Sequence, residues 1–493
     1  MAASNQDAAL ANMGYTAELP RSLIPFGLST TLAYSLTDGQ SVTVLYGWIF
    51  VSCISLAIAA SLAEICSVYP TAGGVYYWSA MLSTRKYAPV VSWITGWLTL
   101  VGNWTVTLSI NFSGAQLILS SISIFNEDFV ANAWQTVLCF WAVMAIAFSV
   151  NVFGAKYLDL INKICIYWTS ASVIIIIVTL LVMANNRRDA EFVFAHFDAS
   201  ASGWPSGWAW FVGLLQAAYT LTGYGMVAAM CEEVQNPERE VPKAMVLSVF
   251  AAGVTGILYL VPLLFVLPDV TSVLGQLNGQ PIGYIFKTVT GSAAGGFGLL
   301  FLILGILFFA GVGALTAASR CTYAFARDGA IPGSRIWKRV HPTYDIPFAF
   351  NAFTGVATIC LSVSYGIPIL VNLIRGRQAV KHASFSLGRF GFAINAVTVV
   401  WITLAIILFC MPTAIPVTPS TMNYASVVFV FFASISLLWY VIRGRKEFSG
   451  PPVVSAEEAE HNGEVVGGVG RVVTEDGSGQ VSYGSDAEKA SRK

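Results

Sequence analysis

The residues best able to do chemistry lie in one stretch, from Trp208 to Lys243. An apolar run, WAWFVGLLQAAYTLTGYGMVAAM, is interrupted at its middle by Thr222, Gly223, Tyr224 and Gly225. Gln216, Tyr219 and Thr220 gather beside the interruption. Two glycines two apart weaken a helix where no water can satisfy loosened backbone groups. In a bilayer such a break persists when it is buried in protein or lines a cavity, and there it offers bare backbone groups to a solute. The same glycines could instead let another helix pack closely. The run leaves through CEEVQNPEREVPKA, whose Glu232 or Glu233 could pair with Arg320 or Arg327 and hold a gate shut. The alternative is a solvated charged loop.

A second group lies between Trp93 and Asn111. At about 100° per residue, Trp93, Trp97, Trp104, Thr107 and Asn111 share a sector of about 80°, with Asn103 at its edge. Buried amides need partners, so this stripe should avoid lipid, and indole faces attract ammonium groups. It faces either a permeation path, which makes Trp104 and Asn111 candidate substrate contacts, or a neighbouring helix. No Asp or Glu lies at the middle of an expected span, so no intramembrane proton-relay carboxylate is visible. Thr316 and Ser319, one turn apart, could offer hydroxyls to sodium, but such residues more often bond within their own helix. The coupling ion, proton or sodium, stays open. The eight cysteines show no CxxC or His-paired spacing, which supports neither a disulfide framework nor a metal site. Without a GxSxG, HExxH, Walker-type or paired-carboxylate motif in a usable context, neither enzyme nor cofactor is expected.

The elements that must hold these residues are membrane helices. The chain has 493 residues, 56% hydrophobic and 11% charged, with mean hydropathy +0.69. Soluble domains carry about 25% charged residues, so this is a multi-pass integral membrane protein whose partners include the lipid bilayer. The formal net charge of zero argues against nucleic acid. Apolar runs predict eleven spans, at 22–36, 42–63, 89–119, 133–152, 164–184, 208–230, 244–267, 295–319, 348–374, 390–410 and 422–442. Residues 1–21 read as a cytoplasmic N-terminus without a cleavable signal, 22–442 as the membrane domain, and 443–493 as a disordered cytoplasmic tail.

With a cytoplasmic N-terminus, basic residues favour the inside as far as the eighth span. Beyond it the alternation fails. The segments before Phe348 and after Ile374 are both basic, yet 348–374 is too short to cross twice at about 20 residues per crossing. The first span is also short, 15 residues with Pro25 and Gly27 inside it. Both anomalies suggest that membrane segments are missing.

Four stretches read together resemble one family: AEICSVYPTAGGVYYW (Ala63 to Trp78), EEVQNPEREVPKA (Glu232 to Ala244), SRCTYAFARDGAIP (Ser319 to Pro332) and SVSYGIPILVNLIRGR (Ser362 to Arg377). The chain is similar to the amino acid–polyamine–organocation superfamily of secondary transporters, most nearly the fungal permeases for amino acids, 4-aminobutyrate and choline. The resemblance implies an all-α fold of twelve helices, the first ten forming two inverted five-helix repeats. Substrate, a small amine-bearing solute, would sit between the broken first and sixth helices. Thr222, Gly223, Tyr224 and Gly225 would then contact it, and Gly73-Gly74 would belong to a cytoplasmic gate. By the same comparison, part of the first helix and most of the ninth are absent. The implied activity is alternating-access transport, with a truncated, non-transporting or regulatory relative as the alternative. The implied location is the plasma membrane or, second, the vacuolar membrane, with both termini cytoplasmic.

Overall fold

The computed structural model describes residues 25–451 apart from 72, 155–156, 235, 277–279, 333–353, 382, 413, 418–422, 424 and 449. The expected N-terminus and most of the expected tail lie outside the described residues. Among those described there is no strand, and nine helices are long and apolar enough to cross a membrane. They are α3 (Gln40–Val68), α5 (Ala88–Phe125), α6 (Ala133–Phe153), α7 (Leu158–Met183), α11 (Pro237–Phe265), α14 (Ala293–Arg327), α15 (Thr354–Ile374), α16 (Gly391–Leu408) and α17 (Ala425–Trp439). The other two expected spans are broken. The first is α1 (residues 25–30) and α2 (Leu32–Thr37). The sixth is α9 (Ser206–Val212), α10 (Leu215–Thr220) and a tighter 3₁₀ segment, Tyr224–Glu233.

The core is built on α3 and α5. The most apolar windows of α3 and α15 are each 61% buried, whereas those of α6 and α17 are 11% and 6% buried. The first pair is therefore interior and the second presents its side chains to lipid. Close approach depends on missing side chains. The Trp48 indole donates to the Gly253 carbonyl at 2.9 Å, and a Cβ on Gly256 would lie 2.2 Å from the same ring. Gly102 likewise admits Leu361, and Gly96 admits Phe325.

Several boundaries differ from those read in the sequence. Part of the expected loop after the second span is a short helix, α4 (Gly74–Leu82). The charged segment after the sixth span is mostly the first turns of α11, with Pro237 in the first turn, where its missing N–H costs nothing. Arg443 and Gly444, assigned to the tail by composition, complete a π-turn, Tyr440–Gly444, that continues the last helix, and Phe448 then packs on Trp93 with ring centroids 5.1 Å apart.

The failed alternation of charge has a direct structural counterpart. At the end of α14, Tyr76 on α4 donates to Asp328 at 3.0 Å and its ring packs on Phe325. At the end of α15, Arg375 donates to the Leu82 carbonyl of α4 at 2.7 Å. Both helices therefore finish beside α4, and both run antiparallel to α5. These two successive spans point in the same direction. The chain between them, 333–353, lies outside the described residues.

Candidate substrate site and its gates

The two broken helices lie against each other. Ser29, Thr30 and Thr31 return hydroxyl bonds to the carbonyls of Pro25, Phe26 and Gly27, and the helix breaks at Thr31. Opposite, Gln216 donates to the Leu28 carbonyl at 3.1 Å, and Ser35 donates to the Gly213 carbonyl at 2.7 Å. Gly27 faces Thr220 so closely that a Cβ would lie 2.8 Å from its methyl group. Tyr219 reaches across to Ser109 on α5 at 2.9 Å. Four of the residues singled out in the sequence thus tie the broken segments to each other and to α5.

At the break itself, Thr222 bonds back to Ala218 at 2.6 Å and Gly223 has φ +107°, a left-handed conformation that only glycine adopts without strain. The next turns are 3₁₀, a geometry that often marks a hinge. Tyr224 stacks obliquely on Tyr365 of α15, centroids 5.2 Å apart, and a Cβ on Gly225 would lie 2.4 Å from the Tyr365 ring. Both tyrosines are buried. The Tyr365 hydroxyl faces the Gly225 backbone, and on α5 the Trp97 indole N–H is buried without a hydrogen-bond partner. An unpaired buried polar group costs about 1–3 kcal/mol, so it marks where another molecule's polar group would be satisfied.

The α5 stripe divides. Trp104 gives its N–H to Thr322 of α14 at 2.9 Å and packs edge-on against Phe432 of α17. Thr107 bonds to the Ala314 carbonyl, and Asn111 bonds to the Thr107 carbonyl with Oδ1 against Gly311. Trp93 is enclosed by Phe325, Tyr440 and Phe448. Trp104 and Asn111 thus stand on the α5–α14 seam, and Asn103 Oδ1, Asn111 Oδ1 and the Trp97 N–H are the open polar atoms of this stripe. Thr316 bonds to Asn151 at 2.6 Å and to the Val312 carbonyl, and Ser319 bonds to the Thr316 carbonyl, so both hydroxyls are engaged inside the protein.

At the α4 end of the bundle, the side chains of Glu232 and Glu233 lie outside the description, so their pairing with Arg320 or Arg327 has no geometry here. Arg327 lies 3.5 Å from Asp328. Gly73 starts α4 and Gly74, at φ +56°, makes the re-entry turn. The ion pair that closes this end is one the sequence did not suggest. Glu64, in the last turns of α3 and fully buried, meets Arg377 at 2.5 Å and accepts from the Leu387 N–H at 2.9 Å. Arg375, two residues earlier, holds the end of α4, and Ser384 bonds to the Glu238 carbonyl of α11. The segment after α15 is therefore a clasp fastened to α3, α4 and α11. Gly391 makes room for it, since a Cβ there would lie 2.0 Å from the guanidinium. Beside it, the free thiols of Cys66 and Cys231 lie 3.9 Å apart and join α3 to the 3₁₀ segment.

The other end holds a second buried carboxylate. Asp38, in the turn between α2 and α3, is fully buried, with the Ser202 hydroxyl beside its carboxyl. Burial pushes its pKa up to about 7, with the nearby Ser202 hydroxyl opposing the rise.

Comparison with known proteins agrees with this geometry. Residues 22–365 match the family described as amino acid permease. A polyamine transporter of Saccharomyces cerevisiae is 35% identical over 455 residues, covering 86% of this chain and 73% of that protein. Amino-acid permease BAT1 of Arabidopsis thaliana is 31% identical over 492 residues, 90% of this chain and 95% of its own length. A choline transporter of Saccharomyces cerevisiae is 30% identical over 461 residues, 89% and 81% of the two chains. With its broken first and sixth helices in contact, and with the match covering most of the membrane domain, the chain belongs to the amino acid permease family.

Proposed function

We propose that the protein is a secondary transporter of amino acids or related small amines, such as polyamines, choline or 4-aminobutyrate, working by alternating access. The observation that carries this reading is the unwound centre of the sixth helix, where Gly223 takes φ +107° and Tyr224 meets Tyr365 of α15 at 5.2 Å between ring centroids. Tyr224 and Tyr365 would offer ring faces to an ammonium group, and Thr222, Gly223 and Gly225 would offer backbone groups. Trp104, Asn111, Gln216 and Tyr219 would hold the walls.

The α4 end is the cytoplasmic one, because Arg85, Lys86, Arg239, Lys243, Arg375 and Arg377 all lie there. The clasp and the Gly73-Gly74 turn then form the inner gate, with Glu232, Glu233, Arg320 and Arg327 at its mouth. The plasma membrane is the first location to examine and the vacuolar membrane the second. The test is uptake of labelled 4-aminobutyrate, choline, spermidine and neutral amino acids in a host lacking its own carriers. Uptake that Tyr224→Ala abolishes at equal surface expression is expected. No uptake of any of these at normal expression would favour a non-transporting relative.

A further inference from the structure

A cavity of about 240 Å³ lies away from the central cluster, between the C-terminal end of α5 and α13 (Ile282–Thr290). Ser120, Ser123 and Glu127 line one side, and Gln280, Tyr284 and Lys287 the other. At about 1.5 Å per residue along α5, Ser123 stands about 30 Å from Asn103, so this is a separate place from the tyrosine pair.

Its interior presents oxygen acceptors. Gln280 is 6% exposed; its amide nitrogen faces Gln116 Oε1 at 3.4 Å, and its own Oε1 has no partner. Ser120 donates to the Leu117 carbonyl, which leaves its oxygen able to accept. At the rim, Lys287 meets Glu127 at 2.7 Å, and that ammonium holds the Glu127 carboxyl below the usual carboxylate range. The pair is exposed on the Glu127 side and exchanges readily for a ligand carrying the same two charges.

We propose that this cavity is a second binding site, for a small zwitterionic amino acid. The ligand's ammonium bonds to Gln280 Oε1 and the Ser120 hydroxyl, with Glu127 beside it, and its carboxylate takes Lys287. At about 30 Å³ per water, the space exceeds what a ligand the size of glycine or 4-aminobutyrate needs. Choline has neither an N–H donor nor a carboxylate and is excluded.

The experiment is equilibrium binding of labelled glycine, 4-aminobutyrate and choline to the purified full chain and to Gln280→Leu, Lys287→Ala, Lys287→Arg and Tyr224→Ala. In the unaltered protein, one or both zwitterions should bind at two sites. Gln280→Leu and Lys287→Ala should each weaken one of them by about tenfold or more, as expected for a lost charge-assisted contact. Lys287→Arg should restore it, Tyr224→Ala should affect the other site, and choline should bind alike to the unaltered protein and to Lys287→Ala. Single-site binding of both zwitterions, no binding of either, or two sites indifferent to Gln280 and Lys287, overturns the proposal. Two-site binding without uptake would instead overturn the transport reading and leave this site standing.

Discussion

Replacing Arg377 with methionine removes the cation from a carboxylate that has no water around it. Glu64 is fully buried and the Arg377 side chain is 15% exposed, so the pair is desolvated on both sides. Removing one member of such a pair costs about 3–5 kcal/mol, because the remaining charge is stranded, whereas an exposed pair is worth about 0–1 kcal/mol. The Leu387 N–H would still face Glu64 Oε1, but Oε2 has no partner even now, so the lower half of that range, about 3–4 kcal/mol, is expected. Adding Glu64→Gln should recover most of the loss, since the neutral amide no longer needs a counter-charge. The assay is urea or thermal unfolding of the purified single and double variants, read beside uptake kinetics. The single variant should lose stability and transport rate with little change in substrate affinity, and the double variant should regain stability. A loss below about 1 kcal/mol, or strictly additive losses, would show that the pair is screened as at a surface and that the clasp reasoning is wrong.

Four further outcomes are expected. Gly225→Ala should abolish uptake, because its Cβ would lie 2.4 Å from the Tyr365 ring; Gly223→Ala, whose Cβ would make only ordinary contact with Met226 but at φ +107°, should cost only about 1–2 kcal/mol. Unfolding and uptake assays on the two variants check the contrast. Tyr365→Phe should change stability by no more than about 1 kcal/mol, since the hydroxyl it deletes has only the Gly225 backbone beside it, and should raise KM several-fold if that hydroxyl meets substrate. Asp38 keeps its proton in the folded chain up to about pH 7 but loses it near pH 4 when unfolded. The folded state therefore binds more protons across that window, so stability should be greatest at its acid end and fall by up to about 4 kcal/mol towards neutrality. Unfolding curves of Asp38→Asn should lack that slope. Copper–phenanthroline, which takes two electrons from a thiol pair, should join Cys66 to Cys231 and arrest uptake, with dithiothreitol restoring it; Cys231→Ser should be resistant.

The membrane helices and the broken sixth span were legible because apolar length and glycine placement are local properties. The parity failure was legible for a related reason: charge at the ends of α14 and α15 reports sidedness without any knowledge of contacts. What the sequence hid was pairing at a distance. Glu64 and Arg377 are separated by 313 positions, and nothing near Glu64 announces its partner. Tyr365 sat inside a stretch noted only for its resemblance, and its role emerges only when Gly225 is found beneath its ring. The angular argument for α5 showed which residues share a face but not the neighbour each one meets, so it could not separate Asn103 from Trp104. Nothing in the sequence singled out Asp38, because its burial comes from remote parts of the chain, the Gly213 turn and the segment around Ser202.

The common direction of α14 and α15 bears on how such a chain can be assembled and revised. In a membrane protein whose successive helices alternate, each helix is oriented partly by its predecessor through the hairpin they share. Here α15 cannot inherit its orientation in that way, and the basic cluster Arg375, Arg377 and Lys381 at its end must fix it. Sidedness at this point of the fold is thus written locally, in the charges at the end of α15, and removing those charges would put the direction of this one helix at risk while leaving α14 as it is.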